Sequence, residues 1–306
     1  MIFTNKHNLP DEVAKVLSKD RYDKGTEHSD YSVTTLKTPP RIVQLQRRHK
    51  EELTEDVIDN LWSMFGSMAH NMLEEHGSDD AVTEKRFYLT ISDKVISGQV
   101  DHYNDGVITD YKVTSAWTLV YGSRVKEWEE QLNMYAYLCR KNYLPVNHIR
   151  IVTILRDWDR NKALQNQDYP QTPIKIIPIT LWTHDEQEQF IEGCVMKQSN
   201  AEYDEDEFLP HCTSEEMWER PSTYAVMKEG RKTAVRVFDS AQEAWEYGRD
   251  NKLVDDNSGD TSYFIGWLPN YSLTTRPGKR TRCEEYCNVN SFCNVYQNYL
   301  KEKGAV

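Results

Sequence analysis

The sequence predicts a mixed α/β fold, and three observations carry that expectation. Apolar residues recur at helical spacing over residues 52–76, and three β-rich runs follow within residues 85–113. A second long helical stretch, 123–142, then leads into two further strands. In the first stretch Leu53, Val57, Ile58, Leu61, Trp62, Phe65, Met68, Ala69, Met72 and Leu73 mark one face, and Gly77 is a natural stop. Residues 1–50, upstream of it, read as polar and mixed, with a break at Thr38-Pro39-Pro40. The three strands are expected over 86–91, 95–103 and 107–113, bounded by turn residues. The second helix must end before Pro145. Strands are expected over 148–155 and 174–181, with a loop over 161–173 that holds Pro170 and Pro173. Thr183, with Glu186 three residues on, caps a helix reaching about Lys197.

The acidic run 200–207 marks a compositional change. We expect a core over residues 1–200, including an N-terminal extension, and a smaller C-terminal attachment over 201–306. The attachment holds a hairpin (224–228 with 233–238 around Glu229-Gly230), a helix over 240–249 and a loop at Asp255-Asp256-Asn257-Ser258-Gly259. No apolar run approaches the ~20 residues of a membrane helix, and the first residues lack a signal peptide's apolar stretch, so a cytosolic protein is expected. The net charge of −12 argues against a general nucleic-acid binder, although a local basic groove can coexist with an acidic exterior. Two basic clusters, Arg47-Arg48-His49-Lys50 and residues 276–282, are either such grooves or solvated surface.

The segment from Gly98 to Lys112 is the most informative. Asp105-Gly106 favours a two-residue type I′ turn, which needs positive φ at both positions. That turn pairs Asn104 with Val107, Tyr103 with Ile108 and His102 with Thr109, and it sets Asp101 opposite Asp110. Cross-strand neighbours share a face about 5 Å apart, and strand alternation adds Lys112 to it. Opposed aspartates repel, and a divalent cation would relieve them; such oxygen ligands suit Mg²⁺ or Mn²⁺. A solvated hairpin balanced by Lys112 is the plain alternative, and a three-residue loop that included Asn104 would shift the register. On the flanking helices, Gly66 and His70 are four apart, as are Gln131 and Tyr135. Glycine costs helix stability, so close backbone approach is a reason for Gly66. His70 is either a further ligand or a hydrogen-bonded histidine at the core's rim.

In this order and context, Gly66/His70, Gly98/Asp101, Asp110/Lys112 and Gln131/Tyr135 resemble the RecB-like branch of the PD-(D/E)XK nuclease superfamily. That branch reads G-x-x-x-H, G-x-x-D, D-x-K and Q-x-x-x-Y on helix, strand, strand and helix. The resemblance spans about residues 52–155, and Glu84 looks like the acidic residue often found before these strands. It implies a restriction-endonuclease-like core and a metal site of His70, Asp101, Asp110 and the Tyr111 carbonyl. Lys112 would orient water and stabilise the transition state, and Gln131 and Tyr135 would hold nucleic acid or steady the site. The implied activity is a DNA exonuclease on single strands or free ends. No GxxxxGK[ST] motif is present, so any helicase or recombination partner would be a separate chain.

Cys283, Cys287 and Cys293, spaced C-x3-C-x5-C, look like metal ligands. Some RecB-like nucleases, including CRISPR-associated exonucleases and the AddB nuclease domain, carry a 4Fe–4S cluster on four cysteines, three of them in a compact group after the core. This chain departs from them: the first two of its group are separated by three residues, and no cysteine precedes the core. Cys139, Cys194 and Cys212 are the candidates for a fourth ligand. Cys139 reads as core, and Cys212, in a loop-like stretch, is the choice. Zn²⁺ is the alternative metal. Two other functions remain in view: a nuclease-like fold that binds without cleaving, and a zinc or iron–sulfur interaction module whose hairpin is incidental.

Overall fold

The structure, a computed structural model, describes residues 2–18, 28–76, 80–254 and 266–304. Gly77 and the loop 255–259 lie outside them. The chain divides after Pro210 into units of residues 1–210 and 211–306. In chain order the strands of the first unit are β1 (Ile2–Thr4), β2 (Tyr31–Ser32), β3 (Thr54–Asp56), β4 (Val82–Ile91), β5 (Lys94–Asn104), β6 (Val107–Thr114), β7 (His148–Leu155) and β8 (Ile174–Ile179). Its helices are α1 (Asp11–Leu17), α2 (Val33–Lys37), α3 (Pro40–Arg48), α4 (Leu61–Glu75), α5 (Ala116–Val120), α6 (Val125–Lys141), α7 (Arg160–Gln165) and α8 (His184–Ala201).

The result is the expected mixed α/β architecture, a mixed sheet flanked by helices. β5 to β8 run side by side in sequence order, with β6–β7 parallel and the other pairs antiparallel. β4 pairs with β5 along most of its length. α6 packs on the sheet through Trp128, Leu132, Tyr135 and Leu138, and Ile191 and Val195 of α8 join the same core.

The other edge of β5 is shared. β2 pairs with it in parallel at Ile96 and Ser97, whereas β6 pairs with it only at His102, Tyr103 and Asn104. Between them, residues 98–101 of β5 have no ladder partner on that edge among the described strands. The breach is what positions the site. The hairpin that opens it has the anticipated turn, with Asp105 at φ 45° and Gly106 at φ 77° and all three expected pairs in register.

Several expectations need correction. The helix predicted from residue 52 begins at Leu61, because Thr54–Asp56 pairs in parallel with Ile2–Thr4 and Asp56 accepts bonds from Lys6 N, Thr4 Oγ1 and Ile58 N. Leu53 and Val57 at the start of the predicted stripe are buried, but within α4 the stripe is not core: Trp62, Phe65, Met68 and Met72 are exposed, and only Ser67 is buried. Residues 1–50, read as polar, contribute β2 to the main sheet and α3 to the interior, where Arg41 is 1% exposed and donates to the carbonyls of Asp206, Leu209 and Pro210. The supposed loop 161–173 contains α7, capped by Asp159. The acidic run is tied into the first unit. Glu202 pairs with Arg47 and Lys94, and Asp206 with Arg48 and His49, so the first basic cluster is neutralised rather than offered to phosphate.

In the second unit β9 (Glu219–Arg220), β10 (Thr223–Lys228), β11 (Arg236–Phe238), α9 (Ala241–Asp250), β12 (Tyr271–Arg276), β13 (Lys279–Arg280) and α10 (Asn294–Glu302) follow in order. β10 pairs with β11 and β12, and β9 with β13.

Candidate active site

A cavity of about 660 Å³ fills the breach. Gly98, Gln99 and Asp101 of β5, Asp110 to Val113 of β6, Ser32 to Thr35, Trp62, Gly66 and His70 of α4, Glu84, Gln131 and Tyr135 all line it. Every site residue expected in the first unit therefore meets in one place. Gly98 is needed for the approach of α6: a Cβ there would lie 2.6 Å from Leu138 Cδ1 and 3.0 Å from the Tyr135 ring. Gln131 Nε2 donates to Tyr135 Oη at 2.9 Å, one turn apart on α6.

The hairpin ladder stops where the two aspartates would have faced each other. Asp101 Oδ2 instead accepts the Tyr111 N–H at 2.8 Å. Tyr111 is held on its other side as well, because His70 Nε2 stands 3.0 Å from its carbonyl oxygen. His70 Nδ1 lies 3.2 Å from Glu84 and 3.6 Å from Asp101. Glu84 occupies the β4 position opposite Asp101, where regular pairing lapses, and its φ of 46° is a backbone region side-chain-bearing residues rarely adopt. Gln99 donates to its second oxygen. Ligand atoms of His70, Glu84 and Asp101 all lie within 4.8 Å of one another, the one such set among the described residues. Asp110, 2% exposed, stands beside this set with Lys112 Nζ 2.7 Å from its Oδ2.

The electrostatics favour a cation here. Burial first, then the neighbouring Asp110, push the Asp101 carboxyl well above its usual range. Burial would lower His70, but its bond to Glu84 and the charges of Asp101, Glu84 and Asp110 outweigh that and raise it. Burial also opposes the charge on Lys112, and Asp110 and Asp101 reverse the effect and hold it protonated. Buried carboxylates around the His70 imidazole favour positive charge at this place. Two carboxylates, an imidazole and a backbone carbonyl match the donors Mg²⁺ and Mn²⁺ take. Relative to the sequence reading, Glu84 joins the cluster and Asp110 stands at its border, bound to Lys112. The sequence reading marked Glu84 only through the resemblance, as an acidic residue before the strands; its place opposite Asp101 comes from the β4–β5 register.

The cysteines separate cleanly. Cys139 is buried in the core of α6, and Cys194 is on α8. Cys212, Cys283, Cys287 and Cys293 all belong to the second unit. Burial, then Glu216, then the other three thiols push Cys212 up to about 12. Burial, then Cys287 and Cys293, raise Cys283 to about 11. The β9–β13 pairing and the bond from Arg282 N to Met217 O bring the chain after Cys212 against the chain before Cys283. The second basic cluster is largely paired here: Lys279 with Glu284 and Glu285, and Arg280 with Glu219.

No family model matches the chain, and neither does any curated protein. Several solved structures are partly similar, two of them as follows. The one described as SSO0001 is 18% identical with a TM-score of 0.38, over 60% of this chain and 82% of that one. One described as "Putative exonuclease" from Eubacterium rectale is 16% identical with a TM-score of 0.28, over 52% of this chain and 62% of that one. Likeness at this level assigns no function. No helix among the described residues is long and apolar enough to cross a membrane.

Proposed function

We propose that the first unit is a divalent-metal-dependent nuclease of the PD-(D/E)XK type, in the RecB-like branch, acting on DNA with single-stranded or free ends. One observation carries the reading: His70, Glu84 and Asp101 converge beside the Asp110–Lys112 pair in a cavity at a breach in the sheet. His70, Glu84, Asp101 and the Tyr111 carbonyl would hold Mg²⁺ or Mn²⁺, with Asp110 completing the set. When bound, such an ion supplies Lewis-acid polarisation of the phosphate and makes water more acidic. The chain's own groups do the rest. Asp101 and His70 clamp Tyr111 from both sides and so orient its carbonyl. Lys112, kept protonated by Asp110, stabilises charge growing on the phosphate and orients the attacking water. The Gln131–Tyr135 pair lines the same cavity and would steady the site or the substrate backbone.

For the second unit we propose a structural metal group on Cys212, Cys283, Cys287 and Cys293. A preformed four-thiolate zinc site holds its sulfurs about 3.8 Å apart, given Zn–S bonds of ~2.3 Å. Four thiolates suit a 4Fe–4S cluster, and Zn²⁺ is the alternative metal. Burial first, and the neighbouring thiols after it, disfavour the thiolate forms of Cys212 and Cys283, and a bound metal would offset that cost.

The test is cleavage of end-labelled single- and double-stranded oligonucleotides with Mg²⁺, with Mn²⁺ and with EDTA. Asp110→Ala should abolish cleavage. Lys112→Ala should still bind Mn²⁺ but lose turnover on the order of 10²–10³-fold. Cleavage that survives EDTA, or survives in Asp110→Ala, refutes the assignment.

A further inference from the structure

We propose that an exposed aromatic ridge at the cavity mouth is a stacking platform for single-stranded nucleic acid. This rests on the nuclease reading of the cavity and names the form of substrate it takes.

Trp62 of α4 lines the cavity together with Asp101, yet is 52% exposed, and Phe65, 44% exposed, stands beside it with ring centroids 5.9 Å apart. A second pair lies on and just after α5. Trp117 and Tyr121, 38% and 74% exposed, stack at 5.8 Å with planes 22° apart. The two pairs are joined through adjacent residues. The Arg156 guanidinium sits 4.0 Å over the Trp62 ring, and the next residue, Asp157, accepts from Ser115 Oγ and Ala116 N at the start of α5. Lys162 Nζ lies 5.0 Å over the Trp117 ring. Arg156 and Lys162 are themselves exposed.

Four large rings this exposed contribute less to the fold than buried ones would, and together they form one surface feature. Their arrangement does suit unpaired bases. Every base presents a π face, so rings accept them whatever the sequence, while cations at the same rings meet the phosphates between. In an intact duplex those faces are hidden by stacking, so the ridge selects single strands or frayed ends. Cations stand on two of the four rings in a chain of net charge −12, which favours a polyanion over an apolar protein partner. The ridge meets the carboxylate cavity at Trp62, so a strand laid along it has its backbone led to the metal ligands.

The experiment measures binding of labelled oligothymidylate, oligouridylate and a blunt duplex by fluorescence anisotropy in EDTA, where the nuclease reading allows no cleavage. The wild type should prefer either single strand to the duplex, and the two single-stranded arms tell DNA from RNA. Tyr121→Ala and Phe65→Ala should each weaken single-strand binding about 5- to 150-fold, the range that ~1–3 kcal/mol per stacked base corresponds to, with the salt dependence unchanged. Tyr121→Phe, which keeps the ring, should bind as the wild type does. Arg156→Gln should instead reduce the salt slope by about one. Wild-type affinity in both alanine variants overturns the proposal, and so does a preference for duplex. Self-association lost in Tyr121→Ala, with oligonucleotide affinity unchanged, also overturns it and makes the ridge a protein-docking face. The two readings fail separately. Ridge-dependent binding without any Mn²⁺-dependent cleavage sinks the nuclease, whereas cleavage by a protein whose binding ignores the ridge sinks the platform.

Discussion

Replacing Gly98 by alanine tests how the site is held open. The added Cβ would sit 2.6 Å from Leu138 Cδ1 and 3.0 Å from two Tyr135 ring carbons, where ordinary carbon contacts begin at about 3.5 Å. Neither neighbour has room to retreat: Leu138 is fully buried and Tyr135 is 6% exposed. Gly98 itself is fixed opposite Phe87 in the β4–β5 ladder. Overpacking of this kind costs roughly 1–3 kcal/mol. The backbone at Gly98 is not in the left-handed region, so alanine also restricts the unfolded chain, which offsets about 0.4–1 kcal/mol. The clash wins, with a net loss of about 1–2 kcal/mol. For a unit of this size that lowers Tm by roughly 2–8 °C. Tyr135 must shift, carrying its bond with Gln131 away from Lys112, so metal-dependent cleavage should fall more than stability does. Urea unfolding of Gly98→Ala, Leu138→Ala and the double variant makes the cycle. Space vacated at Leu138 should accept the new methyl, so the double variant should lose about 0.5 kcal/mol or more less than the sum of the singles. Wild-type stability in Gly98→Ala, or strict additivity with Leu138→Ala, refutes the close-approach argument.

Asp101→Asn can still accept the Tyr111 N–H, and it removes a carboxylate whose folded pKa is raised. A raised carboxyl costs stability as pH climbs from the ordinary aspartate range through the folded pKa, so the metal-free wild type should weaken over that window while Asp101→Asn does not. Melting curves in EDTA should show the variant as the more stable protein at neutral pH. Saturating Mn²⁺ should reverse the order, since about 2.7 kcal/mol follows from a hundredfold excess over Kd; equal stabilisation of both proteins would exclude Asp101 as a ligand. Cys212→Ser should lower the metal content of anaerobically purified protein, read by metal analysis and by visible absorbance. Cys139→Ser and Cys194→Ser should leave it unchanged, and the opposite pattern removes Cys212 from the ligand set.

What was legible in the sequence is local. Asp105 and Gly106 fix a turn by their own backbone preferences, the turn fixes a register, and the register places Asp101 near Asp110 before any tertiary contact is known. Thr183 and Glu186 specify their capping box in the same way. The breach that makes the cavity was not legible. It depends on Tyr31 and Ser32 pairing with Ile96 and Ser97 some 65 residues away, and a two-residue strand has no periodicity to read. α3 was hidden because its buried face includes polar Gln44 and Arg41, and Arg41 is satisfied only once distant chain arrives. The cluster Arg47-Arg48-His49 looked like a phosphate surface for a related reason. Its partners, Glu202 and Asp206, lie more than 150 residues downstream.

α4 is where pattern and structure part most usefully. Helical spacing says that Phe65, Met68 and Met72 share a face; it does not say what that face meets. Amphipathic helices usually turn such a face inward, but here the inward positions carry Ser67 and the His70 imidazole, because the helix docks on β6 to bring His70 to Glu84 and the Tyr111 carbonyl. Once His70 is fixed by those two bonds, 3.6 residues per turn dictate the rest: residues two and five positions before it cannot point the same way. The exposure of Phe65 and Met68 is therefore a geometric consequence of placing His70 in the site. Trp62, two turns before His70, returns to the cavity side and forms its rim. A chain selected only for folding would fill the outward positions with charge. That it fills them with Phe65, Met68 and Met72 is a disagreement between local pattern and burial of the kind expected at functional surfaces.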